Sequence, residues 1–201
     1  MPTRAKFLSL LCLLSALAAV QTVHADDALV GHDIEATIAP DSGTIAATDT
    51  LTLPDDRLQV GFWLHEGLDP KVEAGDAVLE RIGIDGHLAR YRLTRKGSRP
   101  VTLSYAGRIR HPLRTLREGM GRERMDLIGS IDQDGVFLNG YSGWYPNIPD
   151  ALVRFDLEVT LPPGWLAVSQ GAGPEVDPEA EGNGHGVRIL WREDQPQDEI
   201  H

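Results

Sequence analysis

The stretch Val153-Arg154-Phe155-Asp156-Leu157-Glu158-Val159-Thr160-Leu161 alternates strictly. Val153, Phe155, Leu157, Val159 and Leu161 fall on one face, and Arg154, Asp156, Glu158 and Thr160 on the other. A period of two is the mark of a half-buried β-strand, because successive side chains point to opposite faces of a sheet. The same period recurs on both sides. Residues 32–38 alternate Ile34, Ala36 and Ile38, and the turn Pro40-Asp41-Ser42-Gly43 leads into 44–53, which predicts a hairpin. Further strands are predicted over 59–64, 78–84, 89–93, 101–109, 136–138, 165–169 and 187–191. About ten strands without a long amphipathic helix predict an all-β fold, an antiparallel sandwich or a strongly curved sheet.

Two segments break the alternation. Residues 112–134 carry four arginines among acidic and small residues, and Gly119, Gly121 and Gly129 interrupt any helix, so a long connection with at most one helical turn is expected. Residues 171–186 are rich in Gly, Glu and Pro and read as a solvated loop.

The N-terminus has a different logic. Arg4 and Lys6 precede an apolar run over 7–20, followed by a polar segment ending Val23-His24-Ala25, the layout of a secretory signal. The run falls short of the roughly 20 residues that span a bilayer, so cleavage near Ala25, no stable membrane anchor, and a periplasmic or secreted location are expected. The expected organisation is a signal peptide over 1–25 and a β-domain over 26–201. The lone cysteine, Cys12, would leave with the leader, so the mature domain would rely on its core rather than on disulfides. Loss of Arg4 and Lys6 takes the formal charge from −11 to −13. Such a surface repels phosphate backbones, and no nucleic-acid partner is expected. At the other end, residues 192–201 stop as a new apolar stretch begins, which suggests a domain truncated at its C-terminal edge.

Motifs with catalytic chemistry fail on context. His65-Glu66-Gly67-Leu68-Asp69 begins like a zinc-binding helix but has Asp69 where the second histidine belongs, and it precedes Pro70 at a strand end. A half-exposed histidine is expected there. His32, His87, His111 and His185 are isolated in sequence, although distant ligands can meet in a fold. Ala167-Val168-Ser169-Gln170-Gly171 imitates a nucleophile elbow, but Gly173-Pro174 cannot continue as the helix the elbow requires. Asp132-Gln133-Asp134-Gly135 holds part of a calcium loop and is read equally well as a tight turn. No catalytic or metal-ligating residue is assigned.

The most distinctive segment is Gly135-Val136-Phe137-Leu138-Asn139-Gly140-Tyr141-Ser142-Gly143-Trp144-Tyr145-Pro146-Asn147-Ile148-Pro149, with three aromatics between Tyr141 and Tyr145. Its rings either fill the end of a sandwich or form a contact surface for a ligand or partner, which would comprise Tyr141, Trp144, Tyr145 and Pro146.

Gly143-Trp144-Tyr145-Pro146, then the 153–162 strand ending in Pro162, then Trp165-Leu166-Ala167-Val168-Ser169-Gln170-Gly171, together resemble the N-terminal β-domain of M1-family zinc aminopeptidases. In that family an aromatic-Pro element precedes a strand of the type F-x-L-x-V-x-x-P. The opening hairpin over 32–53 also resembles the family's first strands. The family's Phe-Pro-Cys and its preceding arginine are replaced by Tyr145-Pro146-Asn147 without such an arginine. No residue matches the glutamine with which some members hold the substrate's amino group. The resemblance implies a non-catalytic domain that packs on an M1-like catalytic domain in cis or in trans and walls the cleft, meeting the peptide substrate indirectly. Zinc and its ligands would belong to the catalytic domain of the full-length protein, with no cofactor in this chain. A free-standing periplasmic glycan- or peptide-binding module, using the Trp144 and Tyr145 rings as a platform, is the alternative. An adhesion or assembly domain with an exposed apolar face is a third.

Overall fold

The computed structural model describes residues 29–111, 129–177 and 186–201. The predicted leader, residues 112–128 of the first connection and 178–185 of the second lie outside them. The strands are β1 (Leu29–Ala39), β2 (Thr44–Thr52), β3 (Gln59–His65), β4 (Lys71–Ala74), β5 (Ala77–Asp85), β6 (Leu88–Arg95), β7 (Val101–Arg108), β8 (Ser130–Asp132), β9 (Gly135–Phe137), β10 (Leu152–Leu161), β11 (Ala172–Asp177) and β12 (Val187–Gln197), and alternating apolar residues build the long ones such as β1 and β10. No α-helix occurs among the described residues.

Seven strands form one sheet in the order β11-β12-β10-β1-β2-β7-β4, three form a second in the order β3-β6-β5, and β8-β9 is a separate hairpin. The all-β expectation holds, with one change of detail. β1 and β10 run parallel, in register from Leu29 opposite Leu152 to Thr37 opposite Thr160, so the large sheet is mixed rather than antiparallel. Local alternation fixes which face each strand buries but carries no information about the direction of a partner more than a hundred residues away.

The core gathers the inward residues of both sheets. Val30, Ile34, Leu51, Leu103, Phe155 and Leu157 come from the large sheet, and Phe62, Leu64, Tyr91 and Leu93 from the small one. Phe62 and Tyr91 stack with ring centroids 5.4 Å apart. Full burial of one such side chain contributes about 1.5–3 kcal/mol, which makes this shared face the main source of stability. The connection after β3 also meets β7 through backbone. Leu68 bridges Gly107, whose φ is +158°, and a Cβ at Gly107 would lie 1.8 Å from the Gly67 carbonyl oxygen. Only glycine permits that approach.

Four segments differ from expectation. Residues 165–169 are not a strand: Trp165 and Ala167 pack against the core, while Leu166 and Val168 stand 87% and 93% exposed. The alternation is present, but among the described residues no strand pairs with it. The segment expected to be a solvated loop begins as β11, paired with β12. Pro174 is tolerated because β11 is an edge strand, where a missing N–H breaks no ladder. Short β4 and β8 escaped the periodic reading because three or four residues hold too few alternations.

One polar pair lies inside. His32 on β1 donates from Nδ1 to Oδ2 of Asp49 on β2 over 2.8 Å, and both side chains are fully buried. They are diagonal neighbours in the β1–β2 ladder, where Ile34 faces Asp49. Burial, together with the Asp49 charge, pushes the Tyr105 hydroxyl well above its usual range. Removing one member leaves the other buried without its partner. Asp49→Ala should therefore cost about 3–5 kcal/mol in urea unfolding, and the double change His32→Leu with Asp49→Leu should recover most of that loss.

Candidate functional site

The aromatic corner begins at Asn139, whose side chain accepts from the Ser142 N–H at 3.0 Å while the Ser142 hydroxyl accepts from the Asn139 N–H at 3.2 Å. This reciprocal cap closes a 3-10 turn over Gly140–Ser142. Gly143 follows with φ +63°; a Cβ there would lie 2.5 Å from Leu88 Cδ2 and 2.7 Å from the His65 nitrogen. The backbone is pressed against the end of β3, and the His65 N–H donates to the Gly143 carbonyl at 2.7 Å. Beyond it, Trp63 and Asn147 exchange both backbone hydrogen bonds, at 2.8 and 2.9 Å. The corner thus extends the small sheet.

This geometry decides the fate of the predicted contact residues. Trp144 and Tyr145 are 3% and 0% exposed, and Pro146 is buried beside them. Only Tyr141 faces solvent, at 74%. The two rings meet each other edge-on at 5.2 Å, and Tyr145 meets His32 edge-on at 5.3 Å. Burial of the rings corrects the expectation of a contact surface at Trp144, Tyr145 and Pro146, and removes the stacking platform on which the glycan- or peptide-binding module depended.

The corner instead grips residues 199–201. The Tyr145 hydroxyl accepts from the Ile200 N–H at 3.2 Å, and the Trp144 indole donates to the Ile200 carbonyl at 3.3 Å. Glu199 accepts from the Gly140 N–H at 2.7 Å. From the opposite side, Gln170 donates to the Glu199 carbonyl at 2.6 Å and accepts from the His201 N–H at 3.0 Å, and Ser169 donates to the His201 carbonyl at 2.6 Å. Burial raises the Tyr145 hydroxyl far above its ordinary range, partly offset by the Ile200 hydrogen bond, so it stays protonated. Ser169, in the imitation elbow, serves this grip. Asp132 accepts from the N–H groups of Asp134 and Gly135, as a tight turn between β8 and β9.

A second cluster was invisible to local spacing. His65 at the end of β3, His87 between β5 and β6, and His111 after β7 come together with ring centroids 6.0, 5.1 and 5.0 Å apart. His65 is 6% exposed, not half-exposed as its strand-end position suggested. Its Nδ1 accepts from the Gly67 N–H at 2.9 Å, which places its proton on Nε2. That Nε2–H donates to Nε2 of His111 at 2.9 Å. His87 donates from Nε2 to the Tyr141 carbonyl at 2.7 Å. Burial, reinforced by His111 and His87, lowers the pKa of His65 to about 4. Burial and His87 also lower that of His111, against the opposing pull of Glu66. With its proton on Nε2 and its one in-plane lone pair, on Nδ1, taken by the Gly67 amide, His65 has no lone pair to offer a metal, so the trio as arranged does not fit zinc. Among the described residues no group of three His, Cys, Asp or Glu side chains is set to hold a metal ion. His185 lies outside the described residues.

No protein-family model matches the chain, and neither does any curated protein. Solved structures do. The M1 zinc metallopeptidase of Deinococcus radiodurans is similar over 83% of this chain and 38% of its own, at 18% identity and a TM-score of 0.48. Yeast LTA4 hydrolase in complex with bestatin is similar over 86% of this chain and 27% of its own, at 11% identity and a TM-score of 0.49. The chain thus spans less than two fifths of the length of either.

Tyr145→Phe would leave the buried Ile200 N–H without its acceptor and should cost about 1–3 kcal/mol in urea unfolding. The histidines predict a pH dependence. The unfolded chain takes up a proton on His65 near 6.5 and the folded one only near 4, so between these values the unfolded state binds more protons. The contribution is complete above 6.5 and is lost as pH falls towards 4. Unfolding midpoints measured from pH 7.5 to 4 should fall less steeply in His65→Gln than in the parent.

Proposed function

We propose that this chain is the non-catalytic N-terminal domain of an exported M1-like zinc metallo-aminopeptidase, packing on a catalytic domain and walling its substrate cleft. The observation that carries the reading is that the segment bearing the sequence resemblance, Gly143-Trp144-Tyr145-Pro146, is a buried corner that joins the two sheets to residues 199–201. A corner of this kind suits a domain whose work is to hold a shape against a neighbour. The His32–Asp49 pair is sealed in the core, and both ring nitrogens of His65 are engaged in hydrogen bonds within the domain, which supports the same reading.

In this reading zinc and the general base that activates its water belong to the catalytic domain, and no step of peptide hydrolysis runs through the residues of this chain. The acidic domain would meet a peptide only as the outer wall of the cleft. Export behind a cleaved leader completes the proposal and rests on the Arg4–Ala25 pattern.

The purified chain should not hydrolyse aminoacyl-p-nitroanilides above background with or without added zinc. Zinc-dependent turnover by the chain alone would overturn the reading. Joined in one polypeptide to a catalytic domain of this class, it should raise soluble, active yield, measured as turnover per mole of protein.

A further inference from the structure

The histidine trio admits only one arrangement of protons that keeps all of its hydrogen bonds. The Gly67 amide fixes a lone pair on His65 Nδ1, so the His65 proton sits on Nε2, and the facing Nε2 of His111 must accept. A proton arriving at His111 goes to that same Nε2. Two N–H groups would then face each other across 2.9 Å, and the bond becomes a repulsion. A proton arriving at His65 goes instead to Nδ1 and confronts the Gly67 N–H. The Nε2–H of His87 is committed to the Tyr141 carbonyl rather than to either of the other rings.

We propose that His65, His87 and His111 form an acid-released latch that holds residue 111, where the chain leaves β7, against the turn after β3 while the rings are neutral. The two halves of the latch come from points 46 residues apart, so the His65–His111 bond is a tertiary contact with no local substitute.

The charged and titratable neighbours set the order of events. Glu66 lies on the turn after β3, Asp85 and His87 at the β5–β6 turn, Tyr141 on the corner, Arg108 at the end of β7 and Arg110 in the segment that leads from it to His111. Glu66 favours a proton on His111, and His87 opposes it. His65 has no favourable partner and resists longer. Of the two bonded rings His111 therefore charges before His65, and the His65–His111 bond breaks while the Gly67–His65 bond survives until lower pH. The corner itself stays in place, because Tyr145, Trp144 and Asn147 hold it by bonds that do not titrate in this range.

The test follows the imidazole nitrogens and backbone amides of the whole chain by NMR from pH 7.5 to 4. At pH 7.5 His65 should show the Nε2–H form. On acidification the His111 ring and the His111 amide should shift together, with amide exchange at 111 rising tenfold or more beyond the intrinsic pH trend. The Ile200 amide should keep its protection. His111→Gln should abolish the step, and His87→Gln should preserve it. The latch is overturned if the His111 ring titrates with no response at its amide, or if Ile200 loses protection at the same pH. Stoichiometric binding of added Zn2+ at the three rings would also overturn it, since that requires free lone pairs on the facing nitrogens.

Discussion

The parallel pairing of β1 with β10 is the constraint on which the rest of the structure depends. Antiparallel neighbours can be joined by a tight turn, as β1 and β2 are through Pro40–Ser42 and Gly43, but parallel strands need a crossover. Here the crossover is the whole chain from β2 to the corner. Between them the chain builds the three-stranded sheet, adds β7 and β4 to the large sheet beyond β2, and returns to pair β10 with the other edge of β1. The inward residues of β1 and β10, with Ile34 opposite Leu157 and Ala36 opposite Val159, become the centre of the buried face against which the small sheet packs.

The corner is where that excursion is closed. Tyr145 reaches His32 on β1, Asn147 pairs with Trp63 on β3, and Trp144 holds Ile200 beyond β12. Three parts of the chain that are distant in sequence meet within one ring's reach. The burial of His32 and Asp49 follows from the same enclosure, because the ring of Tyr145 covers one side of His32. Two polar side chains in such a place are retained only as a bonded pair.

How much of this is legible in residues depends on the kind of information involved. Val153 to Leu161 reads as a strand because five alternating apolar residues leave no other solution, and β1, β2, β6 and β7 read in the same way. Leu166 and Val168 show the limit, since an alternating segment without a hydrogen-bonding neighbour is only an extended chain. β11 shows the converse: Gly173, Pro174 and Glu175 have poor strand propensity, yet the open edge of β12 recruits them. At the corner, the sequence marks Tyr141, Trp144 and Tyr145 as special but does not separate the exposed ring from the buried ones.

By itself the sequence determined the class of the fold, the inward face of each long strand and the importance of the segment around Trp144, because these are properties of neighbours along the chain. Only the tertiary structure decided that β1 and β10 run parallel, that Trp144 and Tyr145 are sealed inside, and that His65, His87 and His111 share hydrogen bonds. The physical reason is range. Periodicity records which side of a backbone is apolar over a few residues, whereas a parallel pairing, a buried ring and a shared proton are set by groups that sequence holds far apart and only packing brings within 3–6 Å.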